Sequence, residues 1–359
     1  MIKPIAVSSL PPAPRFSTLD ALRGFAAVAV VAYHIFVILW SGLPHDGDLL
    51  TGIAVRAFIV VARWGFLGVP VFFVLSGFCV GQTWLRSTSS RDFALRRLRR
   101  IFPGYFASLA LVLACAVAAK VITGTNDIAA FPAPTFGNVL ATATAFTKPA
   151  SSVPTVNWVY WSLSYEIVFY ALLTAVLLLA SRLRIGALVI VCLAGCVLTF
   201  LPQWSPRPGP LFFCDLWPIF TLGLALAVWD VHRPAATAIG VGAAAGLVAV
   251  AKNPLYPGTV AAALATAIAI AFIPRHRAFR YLRPLETVGD FSYSLYLTHV
   301  PLLLLFGRRL ILPMHTQATV LVGCAVVMLI SLAVAWVFCR YFEKPFHRGT
   351  RATGRLKTT

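Results

Sequence analysis

At 359 residues the chain has length enough for two soluble domains, but 59% of it is hydrophobic and only 11% charged, against roughly 45–50% and 25% in soluble proteins. So few charges cannot cover a water-facing surface, and much of this surface must meet lipid. The net charge of +19 is not the mark of a nucleic-acid binder, because most Lys and Arg fall in short runs between apolar stretches, the positive-inside pattern.

In chain order, residues 1–16 are polar and Pro-rich (Pro4, Pro11, Pro12, Pro14) and read as a disordered cytoplasmic tail. The stretch Gly24–Trp40 is longer than a signal-peptide core and has no small-residue cleavage site after it, so it is expected to stay as the first membrane helix. Apolar stretches follow near 60–84, 101–121, 159–180, 185–201, 211–229, 235–251, 257–273, 289–312 and 319–340. Each suits a hydrocarbon thickness of about 30 Å at a rise of about 1.5 Å per residue. Pro, Gly and basic residues mark the breaks, as at Pro202 to Pro210 and Pro274 to Pro284. The expected fold is all-α, a polytopic transmembrane helical bundle of about ten helices over residues 17–346, with a basic cytoplasmic tail at 347–359. The stretches at 185–201 and 235–251 are short, which leaves nine to eleven crossings open.

Placing the N-terminus inside puts 22 of the 30 basic residues on the cytoplasmic side and 8 outside, which orients the chain with both termini cytoplasmic. The cell inner (plasma) membrane is the expected location. The external loop near 122–158 is too short and too rich in Pro and Gly for a separate domain. The seven cysteines lie almost wholly in apolar runs and read as small packing residues, with neither a disulfide framework nor a metal site indicated.

Ionisable groups inside a span are costly, and each is a functional candidate. His34 lies in the first stretch, eleven residues after Arg23. At roughly 100° per residue the two share one helix face, about 16 Å apart along the axis. Asp20 sits on nearly the same stripe, at the positive end of the helix dipole. Glu166 lies about 10 Å deep in the fourth stretch, and pairing it with His34 would suit base catalysis, the carboxylate orienting the ring. A structural pair locking two helices is the rival reading. In Arg96-Arg97-Leu98-Arg99-Arg100, a helix would put Arg97 and Arg100 on one face, suited to phosphate oxygens. An orientation signal or a lipid headgroup contact would use the same residues. The segment from Phe291 to Pro301 carries Ser292, Tyr293, Ser294, Tyr296, Thr298 and His299, too polar for lipid, and is expected to face the bundle interior. His45, His232, His276, His315 and His347 read as solvated.

Together these segments resemble acyltransferase family 3, membrane proteins that O-acylate surface polysaccharides and, in some members, lipids or antibiotics. The resemblance covers about residues 16–346. It is carried by Arg23 with His34, by Gly68-Val69 with Phe72 to Phe78, and by Arg97 with Arg100. Trp161 to Tyr170, Tyr293 to Pro301 and Tyr341 to Pro345 complete it. Pro70 stands where many relatives have an acid, and Ile167 and Val168 replace polar residues, so neither position supplies a second carboxylate. The chain ends soon after the tenth stretch, so the extracytoplasmic hydrolase-like domain of some members is not expected.

The resemblance implies acyl-CoA, typically acetyl-CoA, as co-substrate on the cytoplasmic side. No permanently bound cofactor or metal is expected. The implied acceptor is a glycan or lipid-linked glycan hydroxyl. On this reading Arg97 and Arg100 hold the CoA phosphates and Arg23 guides the donor. His34 acts as general base or transient acyl carrier, and Glu166 orients it. Ser76, Tyr296 and His299 position polar groups. The alternative is a transporter or flippase for a polar lipid-linked sugar, which would also line a pathway with such groups. Neither reading fixes the oligomeric state.

Overall fold

The computed structural model describes residues 17–39, 49–123, 134–180, 183–201, 209, 211–253, 256–273, 280–307 and 316–347. The expected tails at 1–16 and beyond residue 347 lie outside these residues. Among the described residues the structure is helical, with no strand. Six helical stretches are long and apolar enough to cross a membrane, and shorter apolar helices lie at Arg184–Leu198, Phe212–Val228, Thr259–Phe272 and Ser292–Phe306. The chain is therefore a multi-pass membrane protein.

The elements are α1 (Ser17–Leu39), α2 (Leu49–Ala62), α3 (Gly68–Leu85), α4 (Ser90–Thr123), α5 (Phe136–Ala143), α6 (Trp161–Leu179) and α7 (Arg184–Leu198). They continue with α8 (Trp217–Val228), α9 (Arg233–Lys252), α10 (Thr259–Phe272), α11 (Arg283–Asp290), α12 (Ser292–Leu302) and α13 (Gln317–Phe338). Two expectations change. The stretch 60–84 is not one helix, because a turn at Arg63-Trp64 and a 3₁₀ turn at Gly65–Leu67 separate α2 from α3. The stretch 289–312 begins with the separate helix α11 and ends α12 in a π turn, Leu303–Gly307. In α4 the arginine run is helical and continuous with the apolar stretch after it, through Pro103.

The chain divides into two compact units. The first comprises Met1–Arg23, Pro70–Leu98 and Ser162–Glu286. Within it α7, α8, α9 and α10 pack on one another. Helices α3 and α8 meet through glycines: a Cβ on Gly77 would overlap the Phe220 carbonyl, and one on Gly223 the Val74 carbonyl. Such backbone approach is how membrane helices gain packing where lipid removes the hydrophobic drive. Beside that crossing Phe220 stacks on Phe73 and Phe169, with centroids 4.4 and 4.8 Å apart, and Trp84 Nε1 donates to the Leu173 carbonyl at 2.9 Å.

The second unit comprises Gly24–Val69, Arg99–Trp161 and Thr287–Thr359. Gly65 and Gly68 seat the turn before α3 against the backbone of Ala29 and Ala26 in α1. Helix α12 packs on α13 and is tied on several sides. Tyr293 Oη donates to the Ile101 carbonyl at 3.0 Å, and Ser294 Oγ donates to buried Glu343 at 2.7 Å. Tyr296 Oη donates to the Val159 carbonyl at 2.6 Å, and Asn157 Nδ2 to the Leu297 carbonyl at 3.2 Å. These bonds explain how a segment so rich in hydroxyls sits buried: each finds an acceptor inside the protein.

Candidate active site

The second unit holds the histidines. His34 lies on α1 and His299 on α12, with His299 Nε2 3.0 Å from His34 Nδ1. The ring centroids are 5.0 Å apart, and His299 is fully buried. The neighbouring acceptors fix the tautomers. His299 Nδ1 lies 2.9 Å from the Leu295 carbonyl, which only accepts, so this nitrogen carries the hydrogen and Nε2 presents a lone pair. His34 Nδ1 faces that lone pair and, at 3.0 Å, the Val30 carbonyl. Both are acceptors, so His34 Nδ1 is also the protonated nitrogen. The lone pair of His34 is left on Nε2, which has no hydrogen-bond partner among the described residues. The order runs from the Leu295 carbonyl through His299 to the lone pair at His34 Nε2.

The first unit holds Glu166, Arg97 and Arg23, and the second holds Arg100. On α6, the Glu166 carboxylate accepts from Ser76 Oγ of α3 at 2.9 Å and from Tyr170 Oη one turn along its own helix. The Arg97 guanidinium of α4 lies over the rings of Tyr170 and Phe93, 5.6 Å from each centroid, a cation–π arrangement that suits the planar, weakly hydrated guanidinium. Arg23 Nη1 pairs with Asp20 at 3.0 Å, and Nη2 reaches Cys79 Sγ at 3.0 Å. Arg96 is bound to Ser87 Oγ at 2.7 Å, a bracing contact at the start of α4. Arg97 and Arg100 lie one turn apart on that helix and are half-buried.

Sequence reading had paired His34 with Glu166. The hydrogen bonds give His34 a histidine partner, and they give Glu166 two hydroxyl donors. Ser76, expected only to position polar groups, holds the carboxylate, while Tyr170 had not been singled out. Its signal was the i, i+4 spacing from Glu166. His232, read as solvated, caps α9 by accepting from the Ala235 amide at 3.1 Å. Among the described residues no cluster of His, Cys, Asp or Glu is able to hold a metal.

Comparison with known proteins matches residues 16–340 to the Acyltransferase domain of acyltransferase family 3. The chain belongs to this family. It is an acyltransferase, with the family's domain spanning nearly all of its helices. Among its relatives, the chain is 30% identical over 313 residues to the putative membrane-bound transacylase BcsY of Komagataeibacter xylinus, covering 80% of each chain. It is 27% identical to the exopolysaccharide production protein ExoZ of Rhizobium meliloti, over 66% of this chain and 75% of that one. It is 25% identical to the peptidoglycan O-acetyltransferase OatA of Listeria monocytogenes, over 80% of this chain and 49% of that one. No solved structure matches the chain.

Proposed function

We propose that this family member transfers an acyl group, of the acetyl class, from acyl-CoA at the cytoplasmic side to a hydroxyl of a surface carbohydrate or its lipid-linked precursor. The observation that carries the mechanism is the lone pair left on His34 Nε2. In the proposed step this nitrogen takes the acceptor hydroxyl's proton while the oxygen attacks the thioester carbonyl. The carbon–sulfur bond breaks, and the imidazolium returns its proton to the CoA thiolate. His299 holds the ring in the reactive tautomer, the part a carboxylate plays in a triad. Tyr296, three residues before it, fixes the helix that carries it.

Arg97 and Arg100 serve the CoA phosphates through charge-assisted hydrogen bonds, and Glu166 with Ser76 sets the Tyr170 ring on which Arg97 rests. Arg23 provides a further positive charge along the donor's approach. Relatives named for peptidoglycan O-acetylation and exopolysaccharide production support a carbohydrate acceptor. The six long helices and four shorter apolar ones fall where the sequence has its ten apolar stretches, which supports ten crossings. The 22-to-8 division of basic residues supports an inner-membrane protein with cytoplasmic termini.

The test is mass spectrometry of surface glycans and lipids from the deletion strain, complemented with wild type or with His34→Ala. A general base is typically worth about 10²–10⁴ in rate. The acyl group is therefore expected to return with wild type and to stay absent with His34→Ala at equal membrane abundance. Restoration by His34→Ala would remove the assigned base.

A further inference from the structure

The second unit carries a row of aromatic rings that the mechanism above leaves unused. Trp158 lies beside His34, centroid to centroid 6.0 Å with the planes tilted by 30°. Tyr33 meets His34 edge-on at 5.3 Å, Phe66 lies 5.5 Å from Tyr33, and Trp64 stacks 6.0 Å from Phe66. The two ends of the row are open, Trp158 at 38% and Trp64 at 42% exposure. The residues next to Trp158 are the reverse: Asn157 is fully buried, and Val159 and Tyr160 are 2% exposed. Each of these is fastened. Asn157 Nδ2 bonds the Leu297 carbonyl, Val159 receives Tyr296 Oη, and Tyr160 Oη shares a 2.6 Å bond with Ser108. The short segment is thus clamped on both sides of one large, uncovered ring.

A rigid indole held open beside a basic nitrogen is suited to the axial C–H face of a pyranose, which is apolar and weakly positive against the negative π face. Rings with few rotatable bonds bind at low entropic cost. We infer that Trp158 is the acceptor platform: it stacks on the sugar ring whose hydroxyl is presented to His34 Nε2. The ligand class is a neutral pyranose oligosaccharide, and the inference rests on the acyltransfer reading only for what happens to the hydroxyl.

Saturation-transfer NMR tests it, with the full-length protein in lipid nanodiscs and cellotetraose, maltotetraose and chitotetraose as probes. Ring C–H protons of at least one probe should saturate with wild type and with Trp158→Phe, which keeps a π face. Saturation should be lost with Trp158→Leu, which keeps apolar bulk without one. In acyl transfer to the responding sugar, Trp158→Leu should raise the acceptor KM about ten-fold and leave kcat within about two-fold. Absence of saturation with all three sugars, as for a ring that merely meets the lipid interface, would overturn the inference. So would an unchanged signal in Trp158→Leu. Trp158-dependent binding without acyl transfer by wild type would instead count against the proposed transfer to a carbohydrate hydroxyl and leave the platform standing.

Discussion

At the scale of single residues, the site depends on which nitrogen of each histidine carries hydrogen. His299→Leu removes the lone pair that receives His34 Nδ1–H, and His34 then has only the Val30 carbonyl to steady it. His299→Gln keeps an acceptor oxygen near the same place. The expected outcome in a transfer assay is a fall in kcat of about 10² for the leucine variant, with a smaller fall for glutamine and little change in KM for either. Arg97→Lys keeps the charge but loses the flat face that lies over Tyr170 and Phe93. Its KM for acyl-CoA should rise about ten-fold at similar kcat. His34 stands out in the sequence because a histidine in an apolar run is costly in lipid, where it serves either chemistry or an interhelical hydrogen bond. Its partner was harder to choose. Both Glu166 and His299 sat at suitable depth, and periodicity along one helix says nothing of which other helix lies beside it.

At the scale of elements, apolar length identified most of the helices, since a span needs only to be long and uncharged. It failed where the chain turns without a polar break. The segment Trp64 to Gly68 reads as a continuous hydrophobic run, yet it bends through a 3₁₀ turn because Gly65 and Gly68 press it onto Ala26 and Ala29. The crossing of α3 and α8 has the same small-residue basis. Gly77→Ala or Gly223→Ala places a methyl against a backbone carbonyl rather than a movable side chain, and overpacking of that kind costs about 1–3 kcal/mol. Either variant should unfold at lower temperature in detergent than wild type. Gly137→Ala, with open space around it, should not.

At the scale of the whole molecule, the distribution of charge makes the strongest claim. If the basic runs are cytoplasmic, a cysteine at exposed Thr88 should be shielded from a membrane-impermeant thiol reagent in intact cells. One at exposed Ser152 should be labelled. The native cysteines, six buried and Cys79 half-buried, leave a low background for that measurement. Equal labelling of both positions would contradict the orientation. Sequence reached the multi-pass character easily, because composition is a global sum that survives errors in any single boundary.

The pairing of two neutral imidazoles also bears on how a base is kept in a low-dielectric medium. A carboxylate partner would hold a permanent ion there, with the solvation loss that entails. Two imidazoles joined by one hydrogen, with a backbone carbonyl at the far end, carry no net charge at rest. On the proposed mechanism, charge arises there only while a substrate proton is held on His34 Nε2. That mechanism leaves a neutral pair between turnovers and confines the electrostatic cost of the chemistry to the moments when chemistry occurs.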